Sequence, residues 1–191
     1  MKTQIIDNAL DSEDFEEIEE VLMSHQFPWF WNEVIAYEPA DNSYEKTIAA
    51  LDTTYNGVDI DKCYFTHQFY NQYVPVSEAF NLIRPLIKLL NPRSLMRAKA
   101  NSYTGTKELV HHGDHADFPF EHKGAILYLN TNDGLTVLED GTEIESVANR
   151  LLLFDGSKPH HSTTCTDQKR RVNINMNYMT KSNLDLFRAT H

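Results

Sequence analysis

From Leu95 onward the apolar residues of this chain recur at every second position, in short runs: LMRAKANSY, GAILYLN, LTVLE, TEIESV, RLLLFD and RVNINMNY. That period puts alternate side chains on opposite faces of a strand. NDG at 132–134 and EDG at 139–141 supply tight-turn chemistry between several of the runs. Before Leu95 the spacing is helical in two places. DSEDFEEIEEVLMS (11–24) sets Phe15, Ile18, Val21 and Leu22 on one stripe behind an acidic start. SEAFNLIRPLIKLL (77–90) repeats the pattern through Phe80, Ile83, Ile87 and Leu90, with Ser77 as its cap, Asn91-Pro92 as its stop and a kink at Pro85. FPWFW (27–31) reads as a buried aromatic anchor, and Val34 to Tyr73 as loops and short turns. Many strands after two helices predict a mainly β, α+β chain: an antiparallel barrel or jelly roll with N-terminal helices packed on one face.

At 191 residues the chain suits one domain, with helical support and loops over about 1–94 and the strand core over about 95–179. Its net charge of -11 repels phosphate backbones at long range and counts against nonspecific nucleic-acid binding. Cys63 and Cys165 stand too far apart in sequence, and are too few, for a disulfide framework or a Cys-rich zinc site. No signal-peptide core and no apolar run of membrane-spanning length occurs, so the expectation is a soluble cytoplasmic protein.

The chemistry is concentrated in HHGDHADF (111–118), which contains two His-x-Asp pairs, His112/Asp114 and His115/Asp117. On extended backbone such a pair presents an imidazole and a carboxylate to one point. A third donor is available in FDGSKPHH, where His160 and His161 follow an apolar strand. Two imidazoles and one carboxylate, with other positions open, are the ligand set of non-haem Fe(II) oxygenases, whereas a structural zinc site would want four protein ligands. The strand RVNINMNY turns Val172, Ile174, Met176 and Tyr178 one way and Arg171, Asn173, Asn175 and Asn177 the other. RAKANSY does likewise with Arg97, Lys99, Asn101 and Tyr103. Two polar strand faces beside a metal triad describe a barrel that holds a charged small molecule.

In that order, N-x-Y, H-x-D, a distal His and R-x-N resemble the Fe(II)/2-oxoglutarate-dependent dioxygenases. HADF…AILYLN…RLLLFDGSKPH…R, over roughly 95–179, is similar to the prolyl-hydroxylase-like branch and to small members encoded by bacteriophages, which would place the protein in a host-cell cytoplasm. The resemblance implies a double-stranded β-helix core, with His115, Asp117 and His160 binding Fe(II). It also implies Arg171 on the distal carboxylate of 2-oxoglutarate, Tyr103 as a hydroxyl donor to that group, and Asn101 and Asn173 as further cosubstrate contacts. The implied reaction is hydroxylation of a C–H bond with O2, releasing succinate and CO2, with ascorbate as an optional helper. A prolyl or other amino-acid residue of a peptide or protein, or a small molecule, is the implied substrate.

An AlkB-like nucleic-acid demethylase is the nearest alternative. That branch's R-x-N-x-T-x-R strand is echoed here as R-x-N-x-N-x-N, with Asn177 where the second arginine would stand. A cupin-like metal-binding sensor without turnover is the alternative from a different class, but it gives no reason for Arg171 and Tyr103 to share a cavity.

Overall fold

The computed structural model describes residues 2–32 and 63–180. In chain order these form β1 (Gln4–Ile6), α1 (Ser12–Met23), β2 (Phe30–Asn32), β3 (Tyr64–Asn71), β4 (Val74–Pro75), a 3-10 segment (Glu78–Ile83) and α2 (Arg84–Leu90). There follow β5 (Ser94–Thr104), β6 (Lys123–Tyr128), β7 (Asn132–Leu138), β8 (Glu143–Ser146), β9 (Leu151–Asp155), β10 (His160–Ser162) and β11 (Arg170–Met179). Of Val34 to Tyr73, expected as loops and short turns, residues 34–62 lie outside the described residues, while Tyr64–Asn71 is instead the eight-residue strand β3, paired with β5 in the large sheet.

All the recorded strand pairs are antiparallel. A large sheet runs β1-β9-β6-β11-β5-β3-β2, with β4 on β3, and a small sheet runs β10-β7-β8. This is the jelly-roll arrangement that the alternating runs predict, with both helices packed against the large sheet.

The apolar core lies mainly outside the two-sheet sandwich. Phe15, Ile18 and Leu22 of α1, with Ile83 and Leu86, bury themselves against Ala98 and Ala100 of β5 and Val172, Ile174 and Met176 of β11. Each such aliphatic side chain contributes about 1.5–3 kcal/mol by leaving water. Val21, expected on the same stripe, is instead exposed on the flank of α1, since three buried positions already span the contact. A smaller cluster of Ile126, Tyr128, Ile144, Leu152 and Phe154 joins the sheets. With the apolar face of β11 committed to the helices, its polar face must point between the sheets, and Arg171, Asn173, Asn175 and Asn177 are all buried there.

Further local expectations change. The single kinked helix over 77–90 is a 3-10 segment followed by α2, and Pro85 sits in the first turn of α2, where its missing N–H removes no helical bond. Ser77 does cap the segment, accepting from the Ala79 N–H at 3.0 Å, and Asn91 ends α2 in the left-handed region at φ 43°. NDG is not a turn: it lies inside β7, at a register shift between Asn132 and Leu135. EDG is one, with Gly141 at φ 80° closing β7 onto β8. FPWFW is divided, because Phe27 is buried while Phe30 and Trp31 are exposed on the edge strand β2. Cys63 and Cys165 are buried, and no disulfide joins them.

Candidate metal centre

His115 and Asp117 do not sit on a regular strand. Their extended segment is tied to the β9–β10 connection by backbone bonds: His115 N–H donates to the His160 carbonyl, His160 N–H donates to the His115 carbonyl, and Asp117 N–H donates to the Gly156 carbonyl, each at 3.0 Å. Those ties bring His115, Asp117 and His160 together, with one ligand atom of each lying within 4.8 Å of the others. A carbonyl can only accept, so the contacts of His160 Nδ1 with Lys158 O at 3.0 Å and His115 Nδ1 with Gly113 O at 3.3 Å place the ring proton on Nδ1. Each Nε2 lone pair is then free for a metal, and His160 Nε2 is 3.8 Å from Asp117 Oδ2. Phe154 packs edge-on against the His160 ring at 4.7 Å.

Asp117 is held from both sides. Arg97 Nη2 bonds Oδ1, and Asn177 Nδ2 donates to Oδ2 at 2.8 Å. Arg97 Nε also donates to Asn177 Oδ1 at 3.0 Å, closing the loop. Burial alone would raise the Asp117 pKa, but Arg97, His160, Lys99 and Asn177 together hold it well below the usual carboxylate range. The site thus offers an ionised carboxylate and two imidazoles, with burial pushing the His115 pKa down.

Behind the triad, a cleft runs between the sheets along paired positions of β5 and β11: Lys99 opposite Asn175, Asn101 opposite Asn173, Tyr103 opposite Arg171. Asn101 Nδ2 donates to Asn173 Oδ1 at 2.8 Å. Asn101 Oδ1 and Asn175 Oδ1 are buried without a partner, although both residues line the cleft. Arg171 is fully buried behind the far end, against the lining residues Tyr103 and Thr136 rather than lining the cleft itself. Its Nε donates to Ser146 Oγ at 2.7 Å, its Nη2 to Thr136 Oγ1 at 2.9 Å and its Nη1 to the Thr163 carbonyl at 3.4 Å. Since a guanidinium carries five N–H donors, capacity remains for one anionic partner. Tyr103 and Tyr128 stand over the guanidinium at 5.4 and 5.6 Å.

Gly134 shows why β7 carries a glycine there: a Cβ would lie 2.5 Å from Arg171 Cδ and 2.6 Å from the Thr164 carbonyl.

The expected residues therefore fall into two groups at the ends of one cleft, His115, Asp117 and His160 at one and Tyr103 and Arg171 at the other, with Asn101 and Asn173 between. The remaining histidines separate from them. His112 is buried with Nδ1 2.7 Å from Ser162 Oγ and its ring stacked on Tyr103 at 5.3 Å. Burial, then the charge of Arg171, pushes its pKa down to about 3. Asp114 is exposed and bonds His161 Nδ1 at 2.6 Å, while His161 Nε2 meets His111 Nδ1 at 3.0 Å.

Sequence reading gave no role to Tyr64, Tyr128, Thr136 or Ser146. Alternation along AILYLN, LTVLE and TEIESV could have placed the last three on the inner face, but nothing in the sequence marked Tyr64.

No family model matches the chain, and no curated protein does. Solved structures do. A prolyl hydroxylase from Trichoplax adhaerens, in complex with a hypoxia inducible factor oxygen degradation domain peptide fragment, matches with a TM-score of 0.61 at 14% identity, covering 96% of this chain and 86% of that one. The non-heme alpha ketoglutarate dependent epimerase SnoN from nogalamycin biosynthesis gives 0.59 at 13% identity, over 93% and 77% of the two chains. A 2OG-Fe(II) oxygenase family oxidoreductase from Burkholderia pseudomallei gives 0.56 at 12%, over 93% and 84%. No helix among the described residues is long and apolar enough to cross a membrane. The chain shares the jelly-roll fold of prolyl hydroxylases and other 2-oxoglutarate/Fe(II) oxygenases.

Proposed function

We propose that the protein is an Fe(II)- and 2-oxoglutarate-dependent oxygenase that hydroxylates a C–H bond of its substrate. The observation that carries this reading is the cleft itself. Three metal-donor side chains converge at one end, a buried arginine with donors to spare closes the other, and unpartnered amide oxygens line the space between. Two imidazole nitrogens and one carboxylate oxygen suit Fe(II) with positions left open.

His115, Asp117 and His160 would hold the iron. With 2-oxoglutarate bound, that centre supplies the oxidising equivalents for C–H cleavage, with succinate and CO2 as by-products. The chain's own contributions are positional. Arg171 fixes the distal carboxylate of the cosubstrate by a charge-assisted bond, and Tyr103, whose hydroxyl burial keeps protonated, adds a second donor there. Asn101 and Asn173, bonded to each other, line the cleft between the two ends. Arg97 and Asn177 keep Asp117 ionised and aimed. Phe154, Ile126 and Tyr64 keep bulk water from the reacting end.

A peptide or protein side chain is the leading substrate class, supported by likeness to the peptide-bound prolyl hydroxylase, and ascorbate would serve only to keep the iron reduced. The test is release of labelled CO2 from 2-oxoglutarate by the purified protein with Fe(II), with and without peptides. Failure of the protein to bind either Mn(II) or 2-oxoglutarate in calorimetry would sink the proposal.

A further inference from the structure

The cleft holds a cation that the proposed reaction does not use. Lys99 is on the same face of β5 as Asn101 and Tyr103, in the row next to the Arg97–Asn177 pair that holds Asp117, opposite Asn175, whose Nδ2 is 3.5 Å from Asp117 Oδ2. Its ammonium reaches the Tyr64 hydroxyl at 3.4 Å and stands 5.6 Å from that ring's centre. Tyr64 in turn stacks on Tyr103 at 5.5 Å, so the lysine lies along an aromatic wall, half-buried. Taking an ammonium partly out of water without an anion is costly, and lysine is otherwise among the residues that avoid such places.

Among the described residues, those lining the cleft include no carboxylate. Asp117, beside it, is paired with Arg97, and Asp114 is turned outward onto His161. The cosubstrate does not balance the charge either. Its distal carboxylate would be held by Arg171 and its other carboxylate would be taken up at the metal site. Counting a divalent cation, a dicarboxylate, Asp117, Arg97 and Arg171, the cleft is already positive, and Lys99 makes it more so. A buried excess of positive charge beside the reacting position selects an anionic partner.

We propose that Lys99 is a specificity-determining residue that receives a carboxylate of the primary substrate at the metal end of the cleft. The enzyme then acts on a carboxylate-bearing molecule, whose C–H bond is presented to the metal while its anionic group is held by Lys99. This rests on the reading of the triad as a metal site.

The test compares wild type, Lys99→Gln and Lys99→Arg loaded with Mn(II), by calorimetry, with thermal melting as the check on folding. 2-Oxoglutarate is titrated first. Acetate and acetamide are then titrated into the saturated complex as probes that differ in charge. Acetate should bind wild type and Lys99→Arg while acetamide does not. Lys99→Gln should weaken acetate at least tenfold and change 2-oxoglutarate less than threefold. If acetate never binds and Lys99→Gln instead weakens 2-oxoglutarate tenfold, the carboxylate is the cosubstrate's own and the substrate assignment is overturned. Acetate binding that is the same in wild type and Lys99→Gln, or absent with 2-oxoglutarate affinity unchanged, overturns the carboxylate site altogether. Wild type that binds acetate through Lys99 but never binds 2-oxoglutarate would remove the oxygenase reading and leave the anion site standing. Should Lys99→Gln melt early, Lys99→Met provides the same loss of charge with the stem retained.

Discussion

Arg97 and Asn177 face each other across β5 and β11, bond each other at 3.0 Å, and together take both oxygens of Asp117. Asparagine stands at 177 where the demethylase pattern carries an arginine. The structure supplies a guanidinium at the same place from the neighbouring strand. A carboxylate has about four lone-pair positions, so Oδ2 can accept from Asn177 and still bind a metal.

Replacing Arg97 should therefore act on the metal rather than on the cosubstrate. Two effects oppose each other: losing a nearby cation favours a metal ion, whereas losing the bond that aims Asp117 disfavours it. Partners that orient metal ligands are typically worth 10–100-fold in affinity, and the Asp117 charge also depends on Arg97. Orientation should win. Arg97→Met is expected to weaken Mn(II) binding roughly 10–100-fold and to shift the acid loss of binding to higher pH, because the carboxylate pKa moves back up. Calorimetric titration at pH 5 and pH 7 measures both, and metal affinity equal to or above wild type would count against the clamp.

The far end of the cleft gives a separable prediction. Arg171→Ala should leave Mn(II) binding nearly intact and cost about 2–5 kcal/mol of 2-oxoglutarate binding, the range for removing one partner of a buried charge pair. The side chain also joins Ser146 and Thr136, so the melting temperature should fall. Gly134→Ala reaches the same arginine indirectly. Its new methyl would meet Arg171 Cδ and a carbonyl, so overpacking of about 1–3 kcal/mol should accompany weaker 2-oxoglutarate binding with metal affinity unchanged. If Gly134→Ala binds the cosubstrate as wild type does, the close approach has no bearing on the site.

What could be read in the sequence followed from periodicity. Val172 and Arg171 alternate strictly, so their opposite faces were legible, and so was the burial of Phe15, Ile18 and Leu22 at helical spacing. Features that depend on contacts distant in sequence were not. NDG carries a turn's composition, yet Gly134 is glycine because Arg171, far along the chain, passes over it. Pro85 reads as a kink because no local signal says that the preceding turn is 3-10. Arg97 showed its face but not its partner, since the Asp117 contact depends on an irregular segment held by one reciprocal backbone pair between His115 and His160 and one bond to Gly156.

Lys99 should trade stability for function. Burial first, then repulsion by Arg97, pushes its pKa down to about 8 against the attraction of Asp117. In an unfolded chain a lysine titrates near 10.4. Between those values the unfolded state binds more protons, so this group's contribution to stability rises with pH. Its destabilising effect is full below about 8 and fades as pH approaches the unfolded value. Lys99→Met should accordingly stabilise the metal-free protein at pH 7, on the order of 1–2 kcal/mol once solvent screening is allowed for. The advantage should shrink by pH 10. Urea unfolding of both proteins at the two pH values measures this, and a gain that is the same at both would show that the charge is not its source.

The choice among the histidines is the sharpest prediction, because two His-x-Asp pairs overlap within one stretch of sequence. The geometry separates them: His115 and Asp117 converge with His160, whereas His112 turns to Ser162 and Tyr103 and Asp114 turns outward to His161. Alanine at His115, Asp117 or His160 should each abolish 2-oxoglutarate turnover and measurable Mn(II) binding. Asp114→Ala and His161→Ala break a contact that takes no part in the triad, although His161 lines the cleft, and should keep metal binding and a measurable fraction of turnover. His112→Ala should keep the metal but lose part of the cosubstrate affinity, since its ring supports Tyr103 and its Nδ1 holds Ser162, both of which line the cleft. Metal titration of the six variants distinguishes the two assignments. An inactive, metal-free Asp114→Ala beside a His115→Ala that still binds Mn(II) would move the centre to the other pair and require the segment to be rebuilt around it.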